Sequence, residues 1–348
     1  MASKHSVGVD IGSRALHIAH IQHGRSGPSL VNFAGARLPE GSVRDGEVLD
    51  TAAVGATLKA ILKTAKIAPK EVRLGVANQR VVVRQVDLPW MDTAELKESL
   101  RFQVQEHIPI PVEEAELDFH VLDDFTADND ERMLRLLLVA AHRDMVNTHV
   151  AAATAAGLRP IGVDLNPFAV MRALTRDRAV GGEGEVLVDI GSGVTNIIVH
   201  DNGIPRFVRI LVLGGSDITE GITVALNLPE DEAEARKREV GVVADSDDEV
   251  ARIISDRARR FVDEVRSSLD YYRAQTGGTG ISRVILSGGG SLLTGLPEAL
   301  EAALRLPVER GRPLAHLPVK ASQLSPAELA LVEPTLATAI GLALGGEA

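Results

Sequence analysis

Val7-Gly8-Val9-Asp10-Ile11-Gly12-Ser13 and Val186-Leu187-Val188-Asp189-Ile190-Gly191-Ser192 are one pattern written twice: an apolar strand ending in aspartate, then a glycine turn closed by serine. The offset is 179 residues, from 10 to 189, and the glycines expected to turn the returning strands, Gly24 and Gly203, keep it. A single Asp-Ile-Gly string reads as an ordinary hairpin. Two matched strand–turn–strand units half a chain apart imply duplicated lobes. A glycine turn lets backbone approach a ligand, and successive N–H groups form an anion-binding hollow. Asp10, Gly12 and Ser13 on one side, and Asp189, Gly191, Ser192 and Thr195 on the other, are therefore candidates to grip a polyphosphate. Asp10 and Asp189 leave facing strand ends as carboxylates, the arrangement that phosphate-bound Mg²⁺ and its waters require.

A third candidate element is Ile285-Leu286-Ser287-Gly288-Gly289-Gly290-Ser291. The pattern predicts a strand running into three glycines and then a helix from Ser291. Flat glycine backbone at Gly288, Gly289 and Gly290 suits an adenine ring, and a helix start at Ser291 would offer N–H groups to phosphate. The stretch is not a Walker loop, lacking Gly-Lys-Ser, and not GxGxxG, because Leu293 takes the last glycine's place.

The remainder of the chain sets bounds. Its 348 residues suffice for two cores. A net charge of −11 argues against nucleic acid, which needs a basic face, and is no obstacle to ATP, held by a few local donors. Without cysteine there is no disulfide framework, thiolate zinc site or cysteine nucleophile. The histidines show no ligand spacing, so no metal beyond Mg²⁺ is expected. No signal peptide and no apolar run of ~18 residues is visible, so the expected location is the cytoplasm, with membrane contact through a partner.

Periodicity predicts a hairpin over 6–21, a strand over 30–38, a helix over 51–66 and strands over 72–77 and 81–86. Asp92-Thr93-Ala94-Glu95 caps a helix that Pro109 and Pro111 end. Strands over 117–122 and 134–140 flank a polar tip at 123–132, and a helix over 147–156 stops at Gly157. After a turn at Gly181 to Gly184, strands fall at 186–190, 195–200 and 205–212. A helix over 247–275 is expected to bury Val250, Ile253, Ile254, Phe261, Val265, Leu269 and Tyr272 and to end at Gly277-Gly278. The expected fold class is α/β, two duplicated lobes around a cleft with a small αβ subdomain inserted in the first. The divisions are 1–87 first lobe, 88–160 insert, 161–184 connecting helix, 185–314 second lobe with a small subdomain near 229–275, and 315–348 returning to the first lobe. Gly214-Gly215 reads as a structural bend.

The three loops together resemble the phosphate-1, phosphate-2 and adenosine motifs of the actin/Hsp70/hexokinase superfamily, with RNase H-like lobes. Ala233-Glu234-Ala235-Arg236-Lys237 resembles the Glu-x-x-Lys helix of such proteins, which implies ribose and adenine contacts for Glu234 and Lys237; a solvated helix pair is the other reading. Leu336 to Leu344 resembles the second connecting helix at the hinge. Asp164 falls where kinases of this superfamily place a catalytic base, and capping a helix near Pro167 is its alternative role. Leu88-Pro89-Trp90-Met91, Ile108-Pro109-Ile110-Pro111, Ala155-Ala156-Gly157-Leu158, Phe207-Val208-Arg209, Leu213-Gly214-Gly215 and Ile340-Gly341-Leu342-Ala343 are similar to segments of the PilM family of type IV pilus assembly proteins. That resemblance implies a cytoplasmic scaffold that binds ATP and Mg²⁺ and receives the amino-terminal tail of PilN beside the insert. Slow ATP hydrolysis is compatible with it, although no base beyond Asp164 is identifiable. His17 stands where family members often carry lysine. A small-molecule kinase and an FtsA-like division filament are the alternatives, although the amphipathic carboxy-terminal helix of FtsA-like chains has no counterpart in the pattern here.

Overall fold

The computed structural model describes residues 4–175, 184–243, 246–276, 280–320 and 324–345. The turn glycines Gly181 and Gly182 and the expected helix stop Gly277-Gly278 lie outside them. The first sheet begins with β1 (Lys4–Ile11), β2 (Ala15–Gly24) and β3 (Gly27–Arg37), an antiparallel meander. Short strands β4 (Val43–Arg44) and β5 (Glu47–Val48) lead to α1 (Thr51–Thr64) and β6 (Glu71–Val76), which runs parallel to β1. Helix α1 starts where the Asp50 carboxylate accepts the Ala52 and Ala53 N–H groups, and its Val54, Leu58 and Ile61 face the sheet.

Next come β7 (Val81–Pro89), α2 (Thr93–Gln103), β8 (Ala115–Thr126), β9 (Arg132–His142), α3 (Arg143–Ala155), β10 (Arg159–Leu165) and α4 (Asn166–Thr175). Asp92 caps α2 as expected, accepting the Glu95 N–H. The second sheet takes β11 (Gly184–Ile190), β12 (Thr195–Asp201) and β13 (Ile204–Leu211). Helices α5 (Gly215–Leu226), α6 (Glu230–Val240) and α7 (Glu249–Thr276) follow, then β14 (Ile281–Ser287), α8 (Leu296–Leu304), β15 (Val308–Arg310), α9 (Pro326–Val332) and α10 (Ala337–Leu344).

The duplication read in the sequence is a duplication of sheets. One has the order β10-β6-β1-β2-β3 and the other β15-β14-β11-β12-β13, each an antiparallel meander joined to two parallel strands. Registers coincide too: Asp10 opposes His17 as Asp189 opposes Asn196. Strand β11 is buried along its whole length, which accounts for its unbroken apolar run.

Two helices lie between the sheets. Helix α10 packs through Ala339, Ile340 and Ala343 on Ala19 and Ile21 of β2, while α4 places Val170 and Leu174 on Leu187, Ile198 and Ile285. Their contact requires Gly341, where a Cβ would overlap the Ala169 carbonyl. Gly8 on β1 is just as constrained by the Ala339 carbonyl. The stretch Pro326–Leu344 is long and apolar enough to cross a bilayer by composition, but it is broken at a short turn containing Pro334, and α10 is buried as a hinge helix.

Strand pairing divides the chain differently from the sequence reading in four places. Strand β7 joins β9 and β8 in a separate three-stranded sheet, so the insert begins at Val81 rather than 88. It ends at His142 rather than 160, because α3 and β10 pack and pair in the first lobe. The segment expected as a connecting helix from 161 is β10 through Leu165 and helical only from Asn166. The region 229–275 is no separate subdomain: Val250, Ile254, Phe261, Val265 and Leu269 of α7 share one core with β11, β12 and β14. The polar tip is shorter than expected, with β8 and β9 paired out to Thr126 and Arg132. The insert also touches both lobes, since Val83 of β7 and Ile210 of β13 flank the same cluster as Val76 and Leu165.

Candidate functional site

Each repeated turn closes the same way. The Gly12 N–H donates to the Ala15 carbonyl at 3.0 Å, and the Gly191 N–H to the Val194 carbonyl at 2.9 Å. Their tips meet across the cleft: a Cβ on Gly193 would come within 2.8 Å of the Ser13 hydroxyl. Gly288, at φ +77°, lies against Ile190, and neither a Cβ there nor one on Gly290 has room beside it. Gly289 faces open space apart from Thr335. Asp10, Gly12, Ser13, Asp189, Gly191, Ser192, Gly288, Gly289 and Gly290 therefore come together at one cleft. The Ser13 and Ser192 hydroxyls make no hydrogen bond to another described residue.

Asp189 is buried, and its carboxyl is pushed up to about 6, first by burial and then by the charge of Asp10. Hydrogen bonds from Asn196 and Ser287 offset part of that rise. Asn196 donates to the Asp189 Oδ2 at 3.3 Å, and Asn166 donates to the Asp10 Oδ1 at 3.4 Å. The side-chain oxygens of both asparagines are buried without a hydrogen-bond partner. The amide N–H groups of Asn166 and Asn196 thus face the two aspartates, and the pair of carboxylates at matched strand ends is an oxygen donor set that fits a hydrated Mg²⁺. His17 Nδ1 stands 3.8 Å from the Asp10 carboxylate.

Four predicted contacts are turned elsewhere. Thr195 is fully buried and donates its hydroxyl to the Leu213 carbonyl at 2.7 Å, bracing the turn rather than facing the cleft. Ser291 is fully buried and donates to the Gly288 carbonyl at 2.6 Å. It lies within a short 3-10 turn, Gly289–Leu292, and α8 starts only at Leu296, so no α-helix N-terminus stands at the glycines. The Lys237 ammonium reaches the Gly215 carbonyl and the Thr219 hydroxyl, both at 2.9 Å, and the Glu234 carboxylate at 2.6 Å. Those three acceptors match its three N–H donors. Glu234 is taken up by Lys237, Thr219 and Arg238. The pair anchors the start of α5 at Gly215, whose N–H donates to the Gly191 carbonyl, so Gly214-Gly215 is the bend that backs the second turn.

Asp164 is also occupied. Its carboxylate pairs with Arg172 at 2.9 Å, and Arg172 donates onward to the Gly341 carbonyl at 2.7 Å, tying β10, α4 and α10 together. It does not cap α4, whose first residue is Asn166. Sequence reasoning missed Asn166, Asn196 and two ion pairs that join the lobes, Arg14 with Glu230 and Arg37 with Asp231. Asn196 was accessible as the repeat partner of His17. Asn166 carried no signal, because its position depends on β10 pairing with β6.

Duplicated sheets, facing aspartate turns and a glycine junction at the hinge define a two-lobed protein of the actin-like fold. The chain belongs to the family of the type IV pilus assembly protein PilM, whose model matches residues 8–347. It superimposes on a chain of a PilM-PilN type IV pilus biogenesis complex with a TM-score of 0.87, 29% identity and 97% of each chain covered. It is similar to the cell division protein FtsA of Neisseria meningitidis serogroup B, 28% identical over 179 residues that cover 45% of this chain and 43% of that protein. It thus spans less than half the length of the first curated relatives it matches. MreB5 of Spiroplasma citri, solved bound to AMPPNP, shares the fold alone, with a TM-score of 0.52 and 12% identity over 98% of this chain and 95% of that one.

Proposed function

We propose that this chain is a cytoplasmic scaffold of type IV pilus assembly that holds Mg-ATP between its lobes and seats the amino-terminal tail of a PilN-type membrane protein beside the insert. One observation carries the nucleotide reading: matched strand ends bring Asp10 and Asp189 close enough for the charge of one to raise the carboxyl of the other, with the Ser13 turn meeting Gly193 across the cleft. Asp10 and Asp189 would hold the cation, Asn166 and Asn196 orient those carboxylates through their amide N–H groups, and the Gly12 and Gly191 turns would cradle phosphate. Bound Mg²⁺ supplies charge neutralisation of the phosphates. Gly288 to Gly290 face the adenosine.

The arrangement favours binding over hydrolysis. Asp164, the one catalytic candidate, is spent on Arg172. The partner reading rests on family membership and on the insert, whose β7 contacts the second lobe. Calorimetric titration with ATP should show binding with Mg²⁺ and at least about tenfold weaker binding in EDTA. A synthetic PilN tail peptide should then bind, more tightly with Mg-ATP than without. No heat from ATP removes the nucleotide reading; no peptide binding in either state removes the partner.

The inter-lobe ion pairs make a further prediction. Both are partly exposed, so each contributes at most about 1 kcal/mol. Arg14→Glu should speed release of a fluorescent ATP analogue by about two- to fivefold in stopped flow, and Arg14→Glu with Glu230→Arg should restore it. Unchanged release in the single variant would show that these pairs do not hold the cleft shut.

A further inference from the structure

The seam between the lobes carries a second hollow that the cleft does not use. Its volume is about 220 Å³. Ala173 and Leu174 of α4, Ile285 of β14, Leu344 of α10 and Leu317 from the segment after β15 make an apolar floor, and Arg310, Arg312 and His316 stand on its rim. Glu309 is the one carboxylate among the lining residues, and Arg283 already engages it at 3.4 Å. Arg310, Arg312 and His316 make no ion pair or side-chain hydrogen bond with any described residue.

We propose that this hollow binds a small amphiphilic anion, a phosphate monoester with a short apolar chain, its oxygens on Arg310 and Arg312 and its chain on the Leu174–Ile285–Leu317 floor. Three features select that class. Two guanidinium groups offer forked donors suited to a tetrahedral dianion. The apolar floor rewards a hydrocarbon body and leaves a bare inorganic ion half-fitted. The volume is below that of a drug-sized site, so the ligand is of metabolite size. Gly311 fixes the rim geometry: its N–H donates to the Leu286 carbonyl at 2.8 Å, and a Cβ would come within 2.9 Å of Leu174. Lining residues come from α4 and α10 on one side and from β14 and β15 on the other. A ligand there touches both lobes, so its occupancy is linked to the angle between them.

The test uses the full chain without nucleotide, so its outcome is independent of whether ATP binds the cleft. Butyl phosphate is titrated by calorimetry and by ³¹P NMR against wild type and Arg310→Ala/Arg312→Ala, with inorganic phosphate and valerate as the two other arms. Both arginines are exposed, so the variant keeps the fold, checked by its circular dichroism. The expected result is saturable butyl phosphate binding that weakens at least about tenfold in the variant, with inorganic phosphate several-fold weaker than butyl phosphate. Valerate should also bind more weakly than butyl phosphate. No saturable binding, equal binding to wild type and variant, or inorganic phosphate or valerate binding as well as butyl phosphate would each overturn the proposal.

Discussion

Asp189→Asn should make the nucleotide-free protein more stable at neutral pH and abolish its stabilisation by Mg-ATP. Asp189 has a folded value of about 6 against an ordinary 3.8, raised first by burial and then by Asp10. The folded state therefore keeps a proton that the unfolded chain has already lost between about pH 4 and 6. Stability falls as pH rises through that window and does not recover above it. The gap of about two pH units corresponds to roughly 2–3 kcal/mol. The asparagine variant removes the penalty and with it one of the two carboxylates proposed to hold the cation. Thermal melts at pH 4.5 and 7.5, with and without Mg-ATP, decide the matter. The variant should gain on wild type at pH 7.5 and much less at pH 4.5, and only wild type should shift with Mg-ATP. A variant less stable than wild type at pH 7.5 contradicts the electrostatic account, and one that still responds fully to Mg-ATP contradicts the role assigned to Asp189.

Gly341→Val should be the most damaging single change outside the cleft. The glycine is where α10 touches α4, and the smallest side chain already overlaps the Ala169 carbonyl. Overpacking of this kind costs roughly 1–3 kcal/mol, and more where the obstacle is backbone that cannot rotate aside. Arg172 cannot keep its bond to the Gly341 carbonyl once the helices part, which also loosens Asp164. Urea denaturation should show a midpoint well below wild type. Gly289→Ala, at a position open to space, should move it little by comparison. Equal midpoints for the two variants would mean that the helices do not cross as described.

The duplicated lobes were legible because the signal was doubled: two aspartates and two returning strands at one offset, which the paired registers reproduce, although of the two expected turn glycines only Gly203 turns its strand, Gly24 ending β2 opposite Gly27. The hinge helix was legible through its small residues. The insert's limits were not, since the apolar alternation of 81–86 says strand without saying which sheet will take it. Polar roles were legible only in part. Lys237 has the spacing of a nucleotide contact, but whether an ammonium is free depends on Thr219 and Gly215, which are brought to it by the packing of α5 on α6. Ser291 fails for a related reason, because three glycines permitted a 3-10 turn that sends the hydroxyl inward. Asn166 follows an unremarkable strand and meets Asp10 only after a long crossover.

The three-stranded sheet of the insert stands with one foot on each half of the molecule, Val83 against Ile210 on the far side and Ala141 against Leu165 on the near side. A rigid plate supported at two points tilts whenever either support moves. Any bending at the crossing of α4 and α10 is therefore converted into a change in pitch of that plate, and a peptide lying along it would feel which way the hinge is set without touching the cleft.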